Sequence, residues 1–339
     1  MANAAYSFRC WVTPDRPLCL SLLTAPAWAQ TAPDAAPEQI LIVGKRPGPG
    51  LWKVSKDDHV LWIFGTYSPL PLKMVWRSQQ VEAVLAQSQE FLGAPGTSIG
   101  VGWAQAFNLV TALPFAIGVK DNPDGARLQD VVPADVYSRW TVLKQKYIGD
   151  DTGIETERPI FAGQVLFQKA LTHAGLGGDG DVIATITQIS KKNKLAYTPT
   201  GISLPLDNPR GVLRDFKKSQ IEDLACFSKT IDRLEVDLDA MRTRPNAWAI
   251  GDVELMRKLS YPDQESACKS AVFNSPAMKS LPGAATLEQR MRDTWLAAEE
   301  KALSKNQSTF AMLPVSHILN PDGMIAALQA KGYVVEQPD

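Results

Sequence analysis

The chain has 339 residues, 45% of them hydrophobic and 21% charged, an ordinary globular composition long enough for one large domain or two small ones. Its formal net charge is −1, and its 35 basic and 36 acidic residues are interspersed, so the basic stripe that nucleic-acid binding requires is missing and no nucleic-acid partner is expected. No segment offers about 18 to 20 uninterrupted apolar residues, so no membrane span is expected either.

The first thirty residues differ from the rest. Arg9 and Arg16 precede a short apolar run, Pro17 to Ala29, which closes on Ala27-Trp28-Ala29 before Gln30. A positive region, a hydrophobic region and an A-x-A site read as a signal peptide over 1–29, cleaved after Ala29, which places the mature protein in the periplasm or outside the cell. Cys19 makes no lipobox, because Arg16-Pro17-Leu18 stand where small residues are needed. Residues 30–49, rich in Ala, Pro and Gly, read as a flexible linker, and a single domain is expected over 50–339.

That domain opens with Leu51-Trp52-Lys53-Val54-Ser55 and Val60-Leu61-Trp62-Ile63-Phe64 around a polar turn, two strands of a hairpin. The second is almost continuously apolar, as a strand covered on both faces should be. Ser78 to Gln87, with Val81, Val84 and Leu85 at helical spacing, leads to a short strand at Glu90 to Leu92. Helices are predicted at 103–113, 134–147, 159–172 and 182–193, followed by a strand at Leu195-Ala196-Tyr197. Long amphipathic patterns then cover 215–241, 246–260 and 287–303. The chain closes with strand 309–313, helix 321–330 and strand 333–336. The class is α/β: a central mixed or parallel sheet with strands from both chain ends, flanked by many helices, with a helix-rich middle.

Of the four cysteines, Cys10 and Cys19 leave with the signal peptide. Cys226 and Cys268 remain on predicted helices in an oxidising compartment, and a disulfide between them is expected, with two buried free thiols as the alternative. His59 falls in the hairpin turn and His173 at a helix end, both read as surface residues. In Gly178-Asp179-Gly180-Asp181 the spacing lacks the rest of a calcium loop, and Asp181 reads as a helix N-cap. Trp52, Trp62 and Trp76 read as sheet core with rim contacts.

Three separated segments resemble the TraB/GumN family. The first is Leu51-Trp52-Lys53-Val54, then Leu61-Trp62-Ile63-Phe64-Gly65-Thr66, then Trp76-Arg77-Ser78. The second is Ala249-Ile250-Gly251-Asp252, similar to the family's aromatic-x-x-Gly-Asp segment. The third runs from Thr309-Phe310-Ala311-Met312-Leu313 through His317-Ile318-Leu319 and Pro321-Asp322-Gly323-Met324 to Lys331-Gly332-Tyr333-Val334-Val335-Glu336. The resemblance implies a Tiki-, EreA- and ChaN-like sheet and a metal-dependent hydrolase in which a Gly-x-x-His ends each of two neighbouring strands.

Both motifs are eroded. The first reads Gly65-Thr66-Tyr67-Ser68, with a neutral hydroxyl where the imidazole belongs. The second reads Pro314-Val315-Ser316-His317, which keeps the histidine and loses the glycine. The positions of the family's acids fall near Gly93-Ala94 and Thr200-Gly201-Ile202, where no carboxylate stands, and its Arg-Asn pair appears as Arg290-Met291. A catalytic metal needs about three protein ligands and an open position.

Two functions are therefore carried forward. In the first, the protein is non-catalytic or catalytically altered and binds a small ligand, protein or peptide through the family's cleft at Gly65, Thr66, Tyr67, Asp252 and Arg290, with no cofactor. In the second, it is a metal-dependent hydrolase of peptidase type, with His317 and a Zn, Mn or Co ion. A Ser68 nucleophile with His317 as base is a further arrangement, without a residue to orient the imidazole.

Overall fold

The computed structural model describes residues 48–72, 74–100, 111–178, 181–259 and 262–338. The predicted signal peptide, nearly all of the predicted linker and most of the predicted helix 103–113 lie outside the described residues; its described part, 111–113, is helical, and the helix continues to 116. Eight strands occur among the described residues: β1 (Leu51–Lys56), β2 (His59–Thr66), β3 (Glu90–Leu92), β4 (Thr97–Gly100), β5 (Ala196–Thr198), β6 (Ile202–Pro205), β7 (Ser308–Pro314) and β8 (Val334–Glu336). The helices are α1 (Gln79–Gln87), α2 (Leu128–Val131), α3 (Ala134–Tyr147), α4 (Pro159–His173), α5 (Val182–Lys192), α6 (Pro209–Lys218), α7 (Leu224–Val236), α8 (Leu238–Ala249), α9 (Val253–Lys258), α10 (Pro262–Phe273), α11 (Pro276–Lys279), α12 (Leu287–Leu303), α13 (Val315–Leu319) and α14 (Met324–Ala330).

The main sheet has the order β5-β3-β7-β2-β1-β8. β5, β3, β7 and β2 run parallel, while β1 is antiparallel to both of its neighbours. Strands from both chain ends thus lie side by side, and the fold is α/β as expected. The two-residue alternation of a strand sorts the side chains onto two faces. Leu61, Ile63, Ala311 and Leu313 enter one core with Trp52, Val54, α12 and α14. Phe64, Phe310 and Met312 enter the other with Phe91, Val81 and Leu85 of α1, and Trp248 of α8. Leu61, Ile63 and Phe64 have no solvent exposure, and each such burial stabilises the fold by about 1.5–3 kcal/mol.

The helix-rich middle builds a separate core around Trp140, Leu166, Phe227 and Ile231. The expected disulfide joins Cys226 on α7 to Cys268 on α10. β4 and β6 form a small parallel pair that the sequence reading did not anticipate.

Two predicted helices are broken. The pattern 215–241 divides into the end of α6, then α7 and α8, because Arg158 inserts its guanidinium at the end of α6 and donates to the carbonyls of Phe216, Lys217 and Ser219. Those are the orphan acceptors of a helix C-terminus, and a cation satisfies them well. The pattern 246–260 divides at Gly251, whose φ of +69° disfavours any side chain. Asp252 then restarts the chain as α9 by accepting from the Leu255 amide at 3.0 Å. The last predicted helix starts at Met324 rather than Pro321, and Val315–Leu319 forms a short helix of its own.

Candidate functional site

β2 and β7 are parallel neighbours, with Thr66 opposite Pro314 at their carboxyl ends. The chain leaving β2 reaches α1, which packs on the Phe64 and Phe310 face. The chain leaving β7 runs through α13 to α14, which packs on the Ile63 and Leu313 face. The ends of adjacent strands whose connections depart to opposite faces are where α/β sheets characteristically form a crevice and hold ligands. Both eroded motifs lie there.

Each motif residue has a defined setting. A side-chain carbon on Gly65 would lie 2.8 Å from the Trp52 ring and 2.9 Å from Val315, so only glycine fits. The Gly65 carbonyl accepts from Trp248 Nε1 at 2.7 Å, which fixes α8 against the strand end. Thr66 closes the strand. Ser68 is exposed, and its hydroxyl donates to the Gly178 carbonyl at 2.9 Å. The same carbonyl accepts from the Leu70 amide at 3.1 Å, and the Gly177 amide donates back to the Leu70 carbonyl at 2.8 Å, so the loop after β2 is fastened to residues 175–178. The Ser68 hydroxyl serves that fastening.

His317 is half-buried in α13. Burial pulls the pKa of its imidazole down, the nearby Lys269 ammonium pulls it further, and Glu288 opposes both. Lys269 and Glu288 pair with each other. The ring is therefore mostly neutral at pH 7, with a cation rather than an acid cluster as its strongest charged neighbour. Among the described residues no three His, Cys, Asp or Glu side chains converge to hold a metal ion. The positions where the resemblance would put acids meet each other without a carboxylate, as Thr200 Oγ1 donates to the Gly93 carbonyl at 2.8 Å. This donor set does not fit a divalent metal.

Tyr67 marks a feature that the sequence reading missed. Its phenol is pushed up to about 12 by burial, against the lowering pull of Arg244 and Arg233. Arg244 grips Asp237 with two hydrogen bonds, 2.8 and 3.1 Å, and its Nε donates to the Leu259 carbonyl. Arg233 stands 3.5 Å from the same carboxylate and donates to Gln264 Oε1 at 2.8 Å. Gln264 in turn donates to Cys268 Sγ at 3.4 Å. A neutral phenol thus lies within the electrostatic reach of a buried polar network of two guanidiniums and one carboxylate, which is tied through Gln264 to the disulfide. The i,i+4 spacing of Arg233 and Asp237 was a readable sign of an ion pair; that it lies under Tyr67 was not.

The remaining candidates lie apart from this group. Asp252 is the N-cap of α9. Arg290 is exposed, and its Nη1 reaches the Gly283 carbonyl at 3.5 Å. His173 is exposed at the end of α4 against the Tyr147 ring, as read. His59 is half-buried rather than a surface turn residue: it begins β2, and its Nδ1 lies 2.7 Å from the Asn306 carbonyl. Asp181 holds the N-cap position of α5 with φ +61°, and Trp76 packs beside Phe64 and Trp248. No helix among the described residues is long and apolar enough to cross a membrane.

Comparison with known proteins gave no match among curated proteins and none among solved structures. The model of the TraB/PrgY/gumN family matches residues 50–337. With that span covering both eroded motifs and every strand described, the chain belongs to the TraB/PrgY/gumN family.

Proposed function

We propose that this protein is an exported, non-catalytic or catalytically altered family member that binds a small ligand or peptide in the crevice at the carboxyl ends of β2 and β7. The observation that carries this reading is the pair of uncharged hydrogen-bonding groups in the two motifs, the Tyr67 phenol and the His317 imidazole, where metal chemistry would need converging anionic and imidazole ligands. Neutral groups near the half-buried ring of Trp76 suit recognition by hydrogen bonds and ring contacts. Export is supported by the charge, apolar run and A-x-A pattern of residues 1–29 and by the Cys226–Cys268 disulfide, which persists in an oxidising compartment.

One observation favours the second reading, a hydrolase using His317: an imidazole held neutral at pH 7 is competent as a base. A fragment screen observed through the indole and imidazole NMR signals separates the two. Binding fragments should shift Trp76, Trp248 and His317 together, and Tyr67→Phe should weaken them by about tenfold if the phenol donates one hydrogen bond. Fragments that leave these signals unmoved, or hydrolysis of peptides abolished by His317→Ala, would overturn the binding reading.

A further inference from the structure

A cavity of about 410 Å3 opens in the helical region, away from the β2 and β7 ends, where the start of α4 meets the segment between α6 and α7. Its volume falls within the roughly 300–1,000 Å3 typical of small-molecule sites. Pro123, Ala126 and Leu224 supply apolar wall, and Leu224 is a large hydrophobic left 41% exposed. Arg158 and Asp223 line it as well, only 2% and 3% exposed, and Asp124 stands exposed at its edge.

The two buried charges are not equally available. Arg158 donates from Nε to the Asp121 carbonyl at 3.1 Å, from Nη1 to Ser219 at 2.7 Å, and from Nη2 to Phe216 and Lys217 at 2.9 and 3.0 Å. Its charge is spread over four backbone acceptors, which leaves little for an incoming anion. Asp223 accepts from the Ile160 amide at 2.8 Å through Oδ2. No basic side chain among the described residues forms an ion pair with it. Burial accordingly pushes its carboxyl above the usual range, with the Ile160 amide and the Arg158 charge as weaker opposing influences. A buried acid that forms no ion pair among the described residues, beside a guanidinium already committed to four carbonyls, favours a ligand that brings a positive charge of its own.

We infer that this cavity is a second binding site, for a small primary amine with a short apolar body, whose ammonium is taken by Asp223 while its carbon chain lies along Pro123, Ala126 and Leu224. Asp124 adds a second negative charge on the side from which such a ligand arrives. Its lining includes none of the residues at the ends of β2 and β7.

Calorimetric titration of the full chain with 1,5-diaminopentane tests this, with 1-pentanol and pentanoate as the uncharged and anionic controls. The diamine should bind one to one and the controls should not. Asp223→Asn keeps an oxygen for the Ile160 amide and should weaken the diamine by about tenfold or more, the loss of a charged hydrogen bond. Ala126→Trp, which blocks the wall without touching the helix cap, should abolish binding, whereas Tyr67→Phe should leave it unchanged. Absence of diamine binding, equal binding of pentanoate, or wild-type binding by Ala126→Trp would overturn the proposal.

Discussion

Glu299 lies on α12 with no solvent exposure, and neither of its carboxylate oxygens has a hydrogen-bond partner among the described residues; the same holds for Trp295 Nε1 one turn earlier. Burial drives its pKa well above the ordinary 4.5, and the like charge of Glu300 adds to the shift. The folded protein therefore keeps a proton that the unfolded chain releases above pH 4.5. The sign follows: below that pH the acid imposes no ionisation penalty, and as pH rises toward the folded pKa stability falls by about 1.4 kcal/mol per unit. Even the protonated carboxyl, lacking partners, costs about 1–3 kcal/mol. Glu299→Met removes both penalties at nearly the same volume. In urea unfolding followed by tryptophan fluorescence, the variant should be more stable than the natural chain by about 1–3 kcal/mol at pH 4.5. The gap should widen by about 1.4 kcal/mol for each further unit until the folded pKa is reached. A less stable variant, or a gap that stays flat with pH, would refute the reasoning and mean that Glu299 has a partner in the fold.

Replacing Cys226 and Cys268 by alanine opens a loop with a sequence separation of 42 and should lower stability by about 4 kcal/mol on the chain-entropy account, measurable as a lower urea midpoint. Glu155 is buried and takes hydrogen bonds or ion pairs from Lys144 at 3.1 Å, Trp140 Nε1 at 3.2 Å and the Tyr137 hydroxyl at 3.3 Å. Glu155→Ala strands those partners and should cost about 3–5 kcal/mol in the same assay, and Glu155→Gln less. The His317 imidazole should titrate below 6.5 by NMR, so its contribution to stability holds above the unfolded pKa and is lost as pH falls from there through the folded value. Lys269→Gln should move that midpoint upward.

The sheet was readable because its pattern is local. Leu61 and Ile63 alternate with Trp62 and Phe64, a tight turn precedes them, and β7 and β8 repeat the alternation near the other end of the chain. The helix breaks were not readable, since the end of α6 is set by Arg158, about sixty residues earlier in the chain, and no periodicity over 215–241 contains that information. β4 and β6 were missed because each is four residues long and their pairing spans more than a hundred positions. At the site, the erosion of both motifs was visible residue by residue. What surrounds those residues was not: Ser68 is committed to Gly178, His317 feels the Lys269 charge, and Tyr67 feels those of Arg233 and Arg244, all neighbours brought by the fold.

The proposed crevice at the ends of β2 and β7 is expected to hold no catalytic metal. Titrating the untagged protein with zinc, manganese and cobalt, while following the His317 ring resonances and counting bound ions, tests this directly. No ion should bind in stoichiometric amount, and the His317 signal should stay unmoved. One tightly held ion per chain, with the His317 resonances shifted or broadened away, would contradict it.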